Sequence, residues 1–182
     1  MPINFKTKLS QIGSWTVLEL PKEESLKLPS RGMTYVTGTI NGFPLQTVLD
    51  PDGKGSHWFK IDDAMMSSIK AKVGDMVTID IVSSKDWPEP VVPKDIKNAL
   101  SSNSDSYTTW LGTTSMARWE WVRWIGSTKS DVTREKRINV SLSKLKKGMR
   151  RPCCFNRSMC LIPYVSHNGV LLGQHSEGSE NK

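Results

Sequence analysis

Pro88, Pro90 and Pro93 fall within six residues, in the stretch Trp87-Pro88-Glu89-Pro90-Val91-Val92-Pro93. Proline has no amide hydrogen to donate, and it biases the residue before it toward extended backbone. Neither a sheet ladder nor a helix runs through such a stretch, so residues 87–93 read as a stiff linker. The hydrophobic period differs on its two sides, and that change sets the fold class.

Before the linker the pattern is short strands separated by turn residues. In residues 14–20, Trp15, Val17 and Glu19 share one parity and Thr16, Leu18 and Leu20 the other, and Pro21 closes the strand. Residues 33–40 and 43–49 flank Asn41-Gly42, a dipeptide that sets a tight hairpin between apolar runs. Residues 50–55 read as a loop and 57–61 as the next strand; Asp62 is placed to cap a short helix through Ile69. Val73-Gly74-Asp75 then turns the chain into a strand over 76–82, with Val77, Ile79 and Ile81 on one face. Strands at this spacing predict a small closed β-barrel.

After the linker the period is helical. Helices are expected over 94–100 and 104–111, then from a Thr114 or Ser115 cap to about 128, and from a Ser130 cap to about 147, where Gly148 ends the last. The third is unusual. Four of the seven tryptophans lie between Trp110 and Trp124, and Ala117, Trp119, Trp121, Val122, Trp124 and Ile125 cover more than half of its wheel. Glu120, Arg123 and Met116 are left as a narrow polar strip. A helix so widely apolar is buried on two sides, as the centre of a small bundle, or presents an aromatic surface to a partner. In the fourth helix Ile138, Leu142 and Leu145 form the inward stripe, and Arg134, Arg137, Ser141 and Lys144 a second stripe beside it. Arg134 and Arg137 repel each other by about 0.2–0.5 kcal/mol at this spacing. A barrel carboxylate, a phosphate, or water and salt would offset that.

Charge narrows the partner question. The 182 residues carry 25 Lys and Arg against 18 Asp and Glu, or +7. Residues 129–151 hold nine basic residues and two acidic ones, which accounts for the whole excess; the remainder is neutral. No run approaches the roughly 18 apolar residues of a membrane-spanning helix, and the first residues lack the apolar stretch of a secretion signal. With three late cysteines and no even disulfide framework, a reducing cytoplasm is the expected location.

The helical region carries a resemblance. Arg118-Trp119-Glu120-Trp121-Val122-Arg123-Trp124-Ile125, Lys129 and Thr133-Arg134-Glu135-Lys136-Arg137-Ile138 resemble the C-terminal segment called bacteriocin-protection, YdeI/OmpD-associated. Pro93-Lys94-Asp95-Ile96 with Ala99-Leu100 fits that segment's opening, and the pattern departs at Gly126, Thr128 and Val132. Upstream, Thr39-Ile40-Asn41-Gly42 and Lys72-Val73-Gly74-Asp75-Met76-Val77 resemble the barrel of the domain-of-unknown-function 1905 family. The two cover about residues 4–151. The resemblance implies an α+β chain: a small double-split-type β-barrel over 1–86, the linker over 87–93, an all-helical segment over 94–151, and a cysteine-containing tail over 152–182 whose last ten residues are expected to be disordered. It implies a protective role against bacteriocins or antimicrobial peptides and brings no catalytic constellation.

Motifs for catalysis are absent from the sequence: there is no Gly-Xaa-Ser-Xaa-Gly, no phosphate-binding loop and no dinucleotide fingerprint. His57 sits on a strand, and His167 and His175 in the tail. Asp50, Asp52, Asp62 and Asp63 suit turns and caps better than a cation site. Cys153, Cys154 and Cys160, beside Arg150 and Arg151, are weak metal or redox candidates whose spacing fits no standard zinc module. Two function classes remain. The favoured one is a non-enzymatic cytoplasmic binding or stress-protection protein without a cofactor, with an anionic small molecule or a protein as partner. Its candidate site is Arg118, Trp121, Trp124, Lys129, Arg134 and Arg137. The alternative is a nucleic-acid binder using Arg134, Arg137, Lys144, Lys147, Arg150 and Arg151, and an uncharacterised enzyme ranks third.

Overall fold

The computed structural model describes residues 1–126, 128, 130–152, 164 and 170–173. The chain separates into two compact units: Met1–Lys85 joined by the described residues of Pro163–Lys182, and Asp86–Ile162. Cys153, Cys154, Cys160, His167, His175 and Lys129 lie outside the described residues, as does the tail beyond Gly173.

The first unit is a curled seven-stranded antiparallel sheet. Its strands are β1 (Ile3–Lys8), β2 (Ser10–Ile12), β3 (Trp15–Glu19), β4 (Thr34–Ile40), β5 (Phe43–Pro51), β6 (His57–Ile61) and β7 (Met76–Ser83), in the order β1-β7-β4-β5-β6-β3-β2. The two ends of that order are consecutive pieces of one strand, bent at Leu9. There the backbone leaves both ladders to exchange hydrogen bonds with the turn before β7, the Leu9 amide to the Asp75 carbonyl and the Gly74 amide to the Leu9 carbonyl. Alternation does the rest: Ile3 and Phe5 of β1, Leu18 of β3, Val36 and Ile40 of β4, Phe59 and Ile61 of β6 and Val77, Ile79 and Ile81 of β7 fill one interior. Each such side chain contributes about 1.5–3 kcal/mol on burial.

Local signals place the connections. Asn41 and Gly42 both take positive φ, 49° and 81°, and join Ile40 to its partner Phe43. The Asp62 carboxylate accepts from the Met65 amide at 2.7 Å and starts α2 (Asp63–Ile69). Two expectations are corrected. Asp50 and Pro51 continue β5 and do not belong to the loop, because they pair with Trp58 and His57. A helical turn, α1 (Lys22–Ser25), follows Pro21 where the sequence pattern showed no element. Val17 and Trp58 are also buried, on the parity opposite Leu18 and Phe59, so this part of the sheet is covered on both sides. The chain's end takes part: the Leu171 amide donates to the Asp52 carbonyl, and Tyr164 stands edge-on to Trp15 with centroids 5.1 Å apart.

Among the described residues the second unit holds four helices, α3 (Lys94–Ser101), α4 (Ser104–Leu111), α5 (Ser115–Gly126) and α6 (Asp131–Lys146). Asn103, Thr114 and Ser130 start the last three with side chains that accept from amides three residues on. Ile96, Leu100, Trp110, Trp121, Ile125 and Leu145 form its core, with Ile138 and Leu142 packed against it. A void of about 10 Å³ among them is lined by apolar atoms and holds no more than one water.

Gly38 is a point on which the sheet tests itself. A Cβ there would stand 1.9 Å from the Asp80 carbonyl oxygen and 2.8 Å from the Ile81 Cα, both backbone atoms of the partner strand. Gly38→Ala is expected to part β4 from β7 and to cost about 3 kcal/mol or more in denaturant unfolding. A loss below about 0.5 kcal/mol would mean the strands are not this close.

Candidate functional site

Aromatic and basic side chains come together on α5 and α6. Trp121 is fully buried and its indole N–H donates to the Arg150 carbonyl at 3.1 Å. Trp124 is half-buried and stands edge-on to it, centroids 6.2 Å apart. Two cations lie over the Trp124 ring, the Arg137 guanidinium at 5.4 Å and the Lys144 ammonium at 5.8 Å. Trp119 donates its indole N–H to the Pro88 carbonyl at 2.6 Å. The helix is therefore engaged on two sides. Glu120, on the narrow polar strip of the wheel, is 1% exposed, with Arg151 Nε 3.9 Å from its Oε2.

The arginines of the site are engaged with the protein itself. Arg118 forms a bidentate pair with Glu89 of the linker, Nε to Oε2 at 2.8 Å and Nη2 to Oε1 at 2.6 Å. Its Nη1 faces the carbonyl oxygens of Trp110 at 3.2 Å and Thr113 at 2.6 Å, where α4 ends. Arg134 is bidentate to Asp95 in the first turn of α3, at 2.6 and 3.0 Å. The carboxylate that offsets the Arg134–Arg137 repulsion thus comes from a helix and not from the barrel. Arg137 donates to the Trp124 carbonyl at 2.7 Å, in the last turn of α5, and Lys144 to the Pro152 carbonyl at 2.5 Å.

These contacts set the electrostatics. The Arg118 hydrogen bonds, then that of Ser115, hold the Glu89 carboxyl below its ordinary range. Those of Arg134 do the same for Asp95. Of the candidate residues, the structure brings Trp121, Trp124, Arg137 and Lys144 into one cluster and sets Arg118 and Arg134 at separate helix ends. Lys147, Arg150 and Arg151 are exposed on the exit from α6.

Elsewhere, Asp52 receives the amides of Lys54 and Ser56, and Asp62 caps α2, as turn and cap residues do. Among the described residues no group of three His, Cys, Asp or Glu is placed to hold a metal ion. A pair that sequence reasoning missed is Ser25 and His57, 2.8 Å apart between Oγ and Nδ1. Both are fully enclosed, at 0% and 1% exposure, so no substrate reaches the hydroxyl. Its only sequence signal is a histidine inside an apolar strand.

The two ends of the Arg118 pair are unequal. Glu89→Gln removes only a largely exposed partner and is expected to cost less than about 1 kcal/mol. Arg118→Gln also strips the carbonyls at the end of α4 and is expected to cost about 1–3 kcal/mol. Equal losses in urea unfolding would show that the carbonyl contacts contribute nothing.

Two family models match the chain. A domain of unknown function (DUF1905) matches residues 5–81, and Bacteriocin-protection, YdeI or OmpD-Associated matches residues 89–148. No curated protein matches. The first match lies on the curled sheet and the second on the four helices, with the Arg118–Ile125 and Thr133–Ile138 signature on α5 and α6. The chain thus carries, in this order, a match to a DUF1905 domain and a match to a bacteriocin-protection, YdeI or OmpD-associated segment.

Proposed function

We propose that this protein is a cytoplasmic binding protein of the stress-protection kind, acting by contact with an anionic partner and not by catalysis. The bacteriocin-protection name of its second family supports the role. The observation that carries the binding surface is the division of its cations into two sets. Arg118, Arg134, Arg137 and Lys144 are turned to carboxylates, carbonyls and the Trp124 ring. Lys136, Lys147 and Arg150 are exposed, and Lys146 lies 3.8 Å from Asp105 with most of its side chain in solvent. Of the second set, Lys146, Lys147 and Arg150, at the end of α6 and just beyond it, form the surface that an anionic protein would meet.

Nucleic acid is the second reading, favoured by the concentration of the whole +7 excess in residues 129–151. Salt separates the two. Binding to duplex DNA would weaken with a log–log slope of about −0.9 per phosphate neutralised.

The test compares the protein with its Lys147→Gln/Arg150→Gln variant on polyglutamate, duplex DNA and single-stranded RNA at low salt. Weakened binding with unchanged thermal stability is expected, because neither side chain holds a helix end. No binding to any of the three at low salt would sink both readings, and binding to DNA alone would decide for the second.

A further inference from the structure

One imidazole holds both ends of an excursion in the first unit. Between β3 and β4 the chain leaves the sheet, makes the turn α1 and returns. His57 reaches into this excursion from β6. Its Nδ1 lies 2.8 Å from Ser25 Oγ, at the end of α1, and its Nε2 lies 2.9 Å from the Gly32 carbonyl oxygen, just before β4. A carbonyl only accepts, so Nε2 carries the proton and Nδ1 accepts from the Ser25 hydroxyl. The neutral ring is fully used.

Arg31 closes the same network from within the excursion. Its Nη1 donates to Ser25 Oγ at 3.3 Å, and its Nη2 donates to the carbonyls of Ser25 and Leu28. Leu28 is buried among the core residues of the sheet. A second proton on His57 weakens this network. It would face a hydroxyl that already receives Arg31, strip that hydroxyl's hydrogen of its acceptor, and set an imidazolium beside a guanidinium. Asp52 and Asp50, the carboxylates that face the ring from β5 and the turn after it, favour the cation, as does the Gly32 carbonyl. Burial is the largest influence and, with Arg31, opposes it, so the pKa lies below the ordinary 6.5.

We propose that His57 is an acid-released latch: a proton on its imidazole detaches residues 22–33 as a local unit while the strands β4 to β7 stay paired. The latch is fully closed above the ordinary histidine pKa. A folded pKa below the unfolded one means the unfolded segment binds more protons, so closure weakens as pH falls from 6.5 toward the lower value. What opens is the covering element that carries Leu28, and its departure exposes the core residues of the sheet against which Leu28 packs.

Amide hydrogen exchange of the full chain tests this at about pH 7.5 and about pH 5, after correction for intrinsic rates. The amides of Leu26, Lys27 and Leu28 donate to the carbonyls of Lys22, Glu24 and Ser25 and report the segment. Their protection is expected to fall about twofold or more in acid, while the ladder amides of β4 to β7 keep theirs. In His57→Gln the difference between the two pH values should vanish. Should that variant not fold, Ser25→Ala removes the donor to Nδ1 and is expected to leave the segment poorly protected at both. Equal protection at both pH values in the unaltered protein, a loss shared by the whole sheet, or a persisting difference in either variant overturns the latch.

Discussion

A guanidinium that receives the open end of a short helix is the interaction on which the second unit rests. α3 and α4 have eight residues each. Helices shorter than about 12–15 residues do not hold themselves in water, and each ends with carbonyls that find no partner along its own axis. Arg118 supplies donors where α4 ends and grips Glu89 with the other edge of its fork. Arg137 supplies one in the last turn of α5. Arg134 works at the opposite pole: it steadies Asp95, whose carboxylate in the first turn of α3 suits the positive end of that helix. Planarity and five fixed donors let one side chain do this for two elements at once, which a lysine cannot.

That use of arginine changes how the family signature is read. A stripe of arginines beside an apolar stripe invites a ligand, and the like charges at Arg134 and Arg137 call for an offsetting partner. Asp95 and the Trp124 carbonyl meet that requirement inside the fold. The signature therefore describes how the helices are held together, and the search for a binding surface moves to the exposed cations at the end of α6.

Much of the fold was legible because its signals are local. Asn41-Gly42 sets its own hairpin, and Asp62 and Ser130 cap the residues just after them. Elements and their order follow from such neighbours. The bend at Leu9 was not legible, since what makes it a bend is the pairing of β1 with β7 and of β2 with β3, far along the chain. Nor was the burial of Val17 and Trp58 on the parity opposite Leu18 and Phe59, since strand alternation alone marks one face as inward. Site roles were hardest. Arg118 is recognisable as a motif residue, but its partner Glu89 lies 29 positions away, and distance along the chain hides which charges neutralise one another. Glu120 illustrates the limit, because a wheel places it on a face but does not say what packs there.

Both units use one device, a polar side chain that ties two places in a short element, and they differ in what acid does to it. The guanidinium of the helical unit stays charged across the pH range, so its ties to carbonyls persist and those to Glu89 and Asp95 weaken only when these carboxylates protonate. Glu89 and Asp95 are held below their ordinary values of 4.5 and 3.8, so their contribution is complete above those values and is lost as pH falls through the lower folded ones. The tie of the sheet unit is an imidazole that must stay neutral, and it begins to weaken below 6.5. Mild acid therefore reaches the excursion around α1 at a pH where the arginine ties of the helices are intact. The order in which the two units loosen is written in the side chains chosen for the same task.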